Sequence, residues 1–441
     1  VPDPVVNMSR PTPIARELED KRVPASVVLD HLPPDADVIV GLGNGAPQTV
    51  LDAIEAGGGR FEAIRLHQML PLVHRRYMSG EVPNVRHVSW FLSGADREAF
   101  ASGQCDLVPA DFSDVPHLML TDTWHDLAVV SVSPPGPHGY FSLGTHADYT
   151  AALIGKVPLF LEANARMPRT FGANQIHVSQ CVGWCEADYP LVELDQGEAT
   201  PTDQRIADFV VERIPDGATL QAGIGRTPNA ILHKLGDHRH LGVHTELLGD
   251  GMVDLVEAGV VTGARKATHP NKIVTTNALG TRRIYDFVRD NTGVSFHPVD
   301  VTNDPRLIGR EPHMVSINSA IAVDFLGQVA SESIGTKYWS SSGGQADFAR
   351  GALYSEHGQS FIVLHATAGR GEHTVSRICD TLPTGAAVTT FKNMVDRVVT
   401  EHGVAELRGA SIAERAKRLI AIAAPEYRDE LTRAARERNL F

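Results

Sequence analysis

Long apolar runs are missing from this chain of 441 residues. No stretch approaches the ~18 consecutive apolar residues that a membrane-spanning helix needs. The first residues, VPDPVVNMSRP, also lack the apolar core of a secretory signal. Cysteine is scarce: Cys105, Cys181, Cys185 and Cys379 are the only four, and Cys181/Cys185 has no second pair to complete a zinc ribbon. Reduced thiols, no metal and a cytoplasmic location are therefore expected. Positive charge is also in deficit. Forty Lys and Arg against 53 Asp and Glu leave a net charge of −13, which argues against a nucleic-acid binder, since that affinity needs a cationic face. An anionic ligand is still allowed, because backbone N–H groups bind phosphate without net positive charge.

What is present suits a large buried core: 42% of the residues are hydrophobic and 21% charged, so general disorder is not expected. Short apolar runs alternate with helical stretches, the pattern of a mainly parallel α/β sheet. Val38–Val40, Ala63–Leu66, Leu118–Leu120, Leu127–Val132, Val157–Glu162 and Phe361–His365 read as strands. Ala15–Lys21 and Pro47–Ala56 read as helices, while Pro134–Asp148 and Asn164–Gly172 read as loops. The polar, acidic stretch Val192–Thr202 is the expected linker, with a helix starting at Thr202 or Asp203. Ser411 and Glu414 form a capping box that opens a helix to about Ala423. The chain also repeats itself: Leu32–Gly43 lies over Ile214–Gly225, matching Pro33 with Pro215, Ala36 with Ala218, Gly41 with Gly223 and Gly43 with Gly225. The expected architecture is two related open α/β domains, residues 1–190 and 191–441, with an active site at their interface.

The stretch Gln221–Gly251 concentrates the chemistry. Gly223-Ile224-Gly225 is a tight turn, and Thr227 followed by Pro228 signals a helix start. Ile231, Leu232 and Leu235 would face inward and Gly236 would end the helix. Leu241–Glu246 then reads as a short buried strand with Glu246 at its C-terminal end. A strand end beside a glycine-rich turn is where open α/β sheets bind ligands. The turn can be a structural feature or an anion cradle, and Glu246 can face solvent, recognise a ribose or act as a carboxylate nucleophile. His233, His238, His240 and His244 match no helix-borne metal pair and read as solvated surface residues. Surface charge is likewise the default for Arg226, Lys266 and Lys272, although each could meet a phosphate. Gly139-Tyr-Phe-Ser-Leu-Gly144 misses the serine-hydrolase elbow spacing. The Ser340–Gly344 loop can be a flexible turn or an oxyanion hole, because adjacent glycines let N–H groups approach a developing charge.

Taken in order, several stretches resemble the acetyl-CoA hydrolase/transferase family, in particular its 4-hydroxybutyrate and butyrate–acetate CoA-transferase branch. They are HGYFSLG from His138, MPRTFG from Met167, LQAGIGRTPNAIL from Leu220 and LGVHTELLGDG from Leu241. SINSAIAVDFLGQVASESIG from Ser316, GGQADFARGA from Gly343, VVTEHGVAELRG from Val398 and ERAKRLIAIAAPEYRDEL from Glu414 complete the set. The resemblance implies two related α/β halves and a homodimer. It implies that Glu246 is the residue acylated and then loaded with coenzyme A. It assigns Gly223, Ile224, Gly225, Arg226 and Thr227 to the coenzyme-contacting turn, and Gly343 and Gly344 to the loop lining the acyl and oxyanion site. The substrates would be an acyl-CoA and a small carboxylate, with no tightly bound cofactor. Ser341 stands where the family's loop has its first glycine, so a side chain should narrow or polarise the acyl pocket. CVGWC, Cys181–Cys185, also replaces a segment that usually carries an acidic residue. Hydrolysis of the thioester, transfer involving a carrier protein, and a metabolite-binding sensor are the alternatives.

Overall fold

Residues 12–441 are described by the computed structural model. Seven strands of the first half share one sheet: β1 (Asp35–Val40), β2 (Ala63–Met69), β3 (Val85–Phe91), β4 (Cys105–Leu107), β5 (Leu127–Val132), β6 (Leu159–Asn164) and β7 (Gly183–Ala187). They lie in the order β4-β3-β2-β1-β5-β6-β7, every pair parallel. The second half builds a sheet of eight: β8 (Thr219–Ala222), β9 (Gly242–Leu248), β10 (Ile273–Ala278), β11 (Val294–Phe296), β12 (Met314–Ser319), β13 (Gln359–Val363), β14 (Arg397–Thr400) and β15 (Gly403–Glu406). Its order is β11-β10-β9-β8-β12-β13-β14-β15, with only the edge pair β14/β15 antiparallel. Both sheets therefore grow the same way: the second to fourth strands lie on one side of the first, and the fifth onward on the other. That pattern puts a topological switch point beside β1 in one sheet and beside β8 in the other.

Central strands carry apolar runs because both of their faces are covered: every residue of β5, β6 and β10 is buried. The one apolar run misread from sequence is Leu118–Leu120, which belongs to a helix, Val115–Thr121, with Pro116 in its first turn. A run of three cannot distinguish a buried strand from one side of a helix. Pro134–Asp148 is not all loop either, since Tyr140–Ser142 pairs with Gln175–His177. The helix after the acidic stretch starts earlier than expected. Thr200 caps it, Pro201 takes the first position, and Asp203 closes the capping box. The box at Ser411 and Glu414 forms as expected. All four cysteines are free, and among the described residues no helix is long and apolar enough to cross a membrane.

The two sheets are joined by backbone bonds from loops of the first half to strands of the second. Ala147 N donates to Thr276 O at 2.7 Å, and Ala278 N donates to Thr145 O at 2.8 Å. Phe296 N donates to Phe171 O, and Ala173 N to Phe296 O, both at 2.8 Å. Gly172 lies at φ +134° against this strand, and a Cβ there would run into the Phe296 backbone. These contacts give the MPRTFG segment, and the Thr145–Ala147 stretch that follows HGYFSLG, a physical purpose: they hold the first half of the molecule against strands β10 and β11 of the second.

Candidate active site

Strand β9 runs two residues beyond Glu246, so the glutamate projects from within the strand and not from its end. Its neighbours point into the protein. Thr245 is buried, and His244, which is buried and not solvated, has its Nε2 2.7 Å from Thr302 O. Burial pushes the His244 imidazole down to about 3, so the ring is neutral and donates to that carbonyl. Lys266 corrects the surface-charge reading in the same way. It is buried against β9, donates to Val243 O at 2.8 Å and Lys272 O at 3.1 Å, and has its pKa pushed down to about 8 by burial. It ties down backbone and offers no surface charge to a phosphate. His233 and His240 are exposed, as expected.

By holding Thr302, His244 fixes the next residue, Asn303. Asn303 is wholly buried and donates from Nδ2 to Glu246 Oε2 at 2.7 Å. The other wall is Gly344, the N-cap of the helix Gln345–Tyr354. A Cβ on Gly344 would collide with Glu246 Oε2 and with the Asn303 amide. Only glycine permits the approach, and it brings the carboxyl to a helix N-terminus, whose partial positive charge favours an anion. Burial works in the opposite direction and raises the Glu246 pKa to about 7, while the Asn303 bond pulls it down. The residue as a whole keeps partial exposure, so one side of it can be reached. The result is a carboxylate that is short of solvent, ionised near neutrality and open to a substrate, which are the requirements of a nucleophile.

The first half of the molecule closes the site. Phe112 N donates to Gly343 O at 3.0 Å, and Gly343, at φ +59°, packs so closely on Phe91 that a Cβ would sit 2.9 Å from its ring. Ser113 donates to Asp347 from its backbone N at 3.1 Å and from its hydroxyl at 2.8 Å. Ser341 is buried, and its Oγ has no hydrogen-bond partner.

The Gly223–Thr227 turn lies at the switch point between β8 and β12. Gly223 N donates to Ile317 O at 2.8 Å, and Gly225, at φ +134°, caps a helix that spans Arg226–His233. Two details differ from the sequence reading. Thr227 is not the cap, because its hydroxyl goes to Asp203, which also accepts from His365 Nε2 at 2.7 Å. Gly236 does not end the helix, which stops at His233 with Lys234 as its C-cap. Ile231, Leu232 and Leu235 do face the core. The β8/β9 register pairs Thr219 with Gly242 and Leu220 with Val243. Continued three more steps along the chain, one past the end of β8, the same offset brings Gly223 level with Glu246. Ile224 and Arg226 are exposed at this turn, free to meet a ligand arriving over it.

Sequence reasoning singled out the glutamate and both glycine elements but not Asn303, Asp347 or Ser113, which the structure gathers around the Glu246 side of the site. Asp347 lies inside the GGQADF segment. Asn303 ends the short helix Val299–Thr302 and Ser113 lies in the 3-10 turn Phe112–Asp114, and no spacing links either to Glu246. Among the described residues one group has metal-ligating atoms close together: His87, Asp96 and Cys105, all within 4.8 Å. Asp96 is already occupied there, with Oδ1 accepting from Ser93 N and Oδ2 facing His87 Nε2 at 3.1 Å.

Residues 53–212 match the acetyl-CoA hydrolase/transferase N-terminal domain, and residues 280–435 match the C-terminal domain. A succinyl-CoA:cyclohexane-1-carboxylate CoA transferase of Geobacter metallireducens is 43% identical over 90% of this chain and 90% of its own. A 4-hydroxybutyrate coenzyme A transferase of Clostridium kluyveri is 40% identical over 95% and 98%. The crystal structure of RipA from Yersinia pestis superimposes with a TM-score of 0.92 at 32% identity, covering 98% of this chain and 100% of that one. With two family domains matched in order and relatives of about 40% identity spanning most of its length, the chain belongs to the acetyl-CoA hydrolase/transferase family.

Proposed function

We propose that the chain is a CoA-transferase that exchanges coenzyme A between an acyl-CoA and a small carboxylate, with Glu246 carrying the coenzyme between them. The observation that carries this reading is the Glu246 carboxyl itself. It is packed against Gly344 at a helix N-terminus, bonded by a single amide, and opposite the glycine turn of the neighbouring strand. The curated relatives named above, called CoA-transferases, support the same class.

The chemistry is a ping-pong exchange. A Glu246 oxygen attacks the thioester carbonyl, an oxyanion forms and collapses, and CoA thiolate leaves an acyl–glutamyl anhydride. The thiolate then attacks the glutamyl carbonyl and expels the first acid as its carboxylate, which gives glutamyl-CoA. The acceptor carboxylate attacks that thioester, the thiolate departs and returns to the new acyl carbonyl, and Glu246 is regenerated. A thiolate leaves without help from a general acid, so the site has to supply donors for the oxyanions. Each such donor is worth about 3 kcal/mol of barrier. The Asn303 amide and the glycines at 343 and 344 are the elements placed to serve. Gly223, Ile224, Gly225, Arg226 and Thr227 serve as the cradle for the coenzyme, whose remote binding energy offsets the strain of the anhydride. Ser341, buried with an unpartnered hydroxyl, would narrow or polarise the acyl pocket.

The test is a panel of short acyl-CoA donors against several carboxylates. Thioester exchange that requires the acceptor acid is expected. Equal thioester loss with and without acceptor would mean that water is the true acceptor and the chain is a hydrolase.

A further inference from the structure

A second carboxyl shares the Asn303 amide. Nδ2 of Asn303 lies 2.7 Å from Glu246 Oε2 and 3.4 Å from Asp347 Oδ2. Asp347 is 4% exposed, in the first turn of the helix that Gly344 caps. Its remaining contacts come from the other half of the molecule, through the backbone N–H and hydroxyl of Ser113. The charged groups that act on it, Asp111 across the interface and Glu246 on β9, are both carboxylates. Two like charges sharing one amide in a poorly solvated pocket are strongly unfavourable, so one of the two carboxyls keeps a proton. The nucleophile must be the one that does not.

The geometry points to Asp347 as a positioning residue that retains the proton Glu246 gives up and holds the Asn303 amide against Glu246 Oε2. This rests on the assignment of Glu246 as the nucleophile. Asp347 touches no reacting atom in this scheme and transfers no proton during turnover. It keeps the pocket at one negative charge and, through Ser113, lets the docking of the first half set the aim of Asn303. Burial raises both carboxyls, Asp347 to about 8 and Glu246 to about 7, so the two compete for one proton near neutrality. When Asp347 ionises, the shared amide is drawn toward the second charge and the pocket repels both the incoming carboxylate and the oxyanion.

The experiment is the pH dependence of kcat/KM for the full chain, with butyryl-CoA and acetate as probes. The wild type is expected to gain activity as Glu246 ionises near pH 7 and to lose it above about pH 8. Asp347→Asn keeps an acceptor for Asn303 and cannot ionise, so kcat should stay within several-fold of wild type while the alkaline limb disappears. Asp347→Ala removes the anchor of Asn303 and should lower kcat by about 100-fold with little change in KM. Ser113→Ala provides a check if the Asp347 variants do not fold. The Ser113 bonds favour the charged carboxyl, so removing the hydroxyl should move the alkaline limb to higher pH. An alkaline limb unmoved in Asp347→Asn, or in Ser113→Ala, overturns the inference. Turnover surviving in Glu246→Gln would instead overturn the nucleophile assignment, so the two failures are distinguishable.

Discussion

Each half of the molecule presses one glutamate against the N-terminus of a helix, and the two glutamates are treated in opposite ways. In the first half, Glu162 on β6 is fully buried. It accepts from Thr49 N at 2.7 Å and Val50 N at 3.1 Å, both in the first turn of the helix Gln48–Gly57, and from the Tyr189 hydroxyl. In the second half, Glu246 meets a helix at Gly344 but, among the described residues, its carboxyl has one donor, Asn303. Glu162 is saturated and inaccessible, which makes it a helix cap. Glu246 is under-bonded and partly exposed, which leaves lone pairs for a carbonyl carbon. The fold supplies similar settings twice, and the number of donors decides which carboxylate can react.

The largest difference between the two should appear in chemistry. Replacing Glu246 by Gln removes the proposed nucleophile at almost no cost in shape, and turnover should fall by ~10⁴-fold or more in initial-rate assays. Glu162→Gln should leave kcat within a few-fold. The next effect sharpens the part played by the helix terminus. Gly344→Ala drives a methyl into the Glu246 carboxyl and the Asn303 amide, so kcat/KM should fall by about 100-fold, because a displacement of ~1 Å at reacting atoms costs that much. Stability then reverses the ranking. Glu162→Ala leaves two helix N–H groups without their acceptor and takes one partner from the Tyr189 hydroxyl, and unfolding should be easier by about 2–3 kcal/mol in denaturant titrations.

The smallest expected effect follows from ionisation. Folding raises the Glu246 pKa from its ordinary 4.5 to about 7, so the folded state holds the proton more tightly than the unfolded chain. The stability this contributes is fully present below pH 4.5 and is lost as pH rises through 7. Glu246→Gln should therefore match the wild type near pH 4.5 and exceed it at pH 8 by about 2 kcal/mol, allowing for partial exposure. Equal Tm differences at both pH values would show that the carboxyl is not held against its charge.

How much of this could be read from the residues depended on range. The strand–turn–helix units at Val38–Ala56 and at Leu220–Leu235, and the repeat that aligns them, are local patterns, and the matching strand orders follow from them. The glycines at 225, 343 and 344 were visible as turns. Why Gly343 and Gly344 must be glycine was not visible, because the atoms they would strike belong to Phe91, Glu246 and Asn303, all distant in sequence. Lys266 and His244 were misjudged for a related reason. Polarity predicts exposure on average, but here each side chain satisfies a buried backbone carbonyl, His244 that of Thr302 and Lys266 that of Val243. Leu118–Leu120 failed because a short apolar run carries no period.

The most direct test of the account is to mix the protein with an acyl-CoA, trap the adduct by rapid acid quench, digest, and weigh the peptide that contains Glu246. The account predicts a mass gain equal to coenzyme A joined through a thioester on Glu246, lost when carboxylate acceptor is added before the quench. An unmodified peptide from protein that is turning over, or coenzyme attached to any other residue, would contradict it.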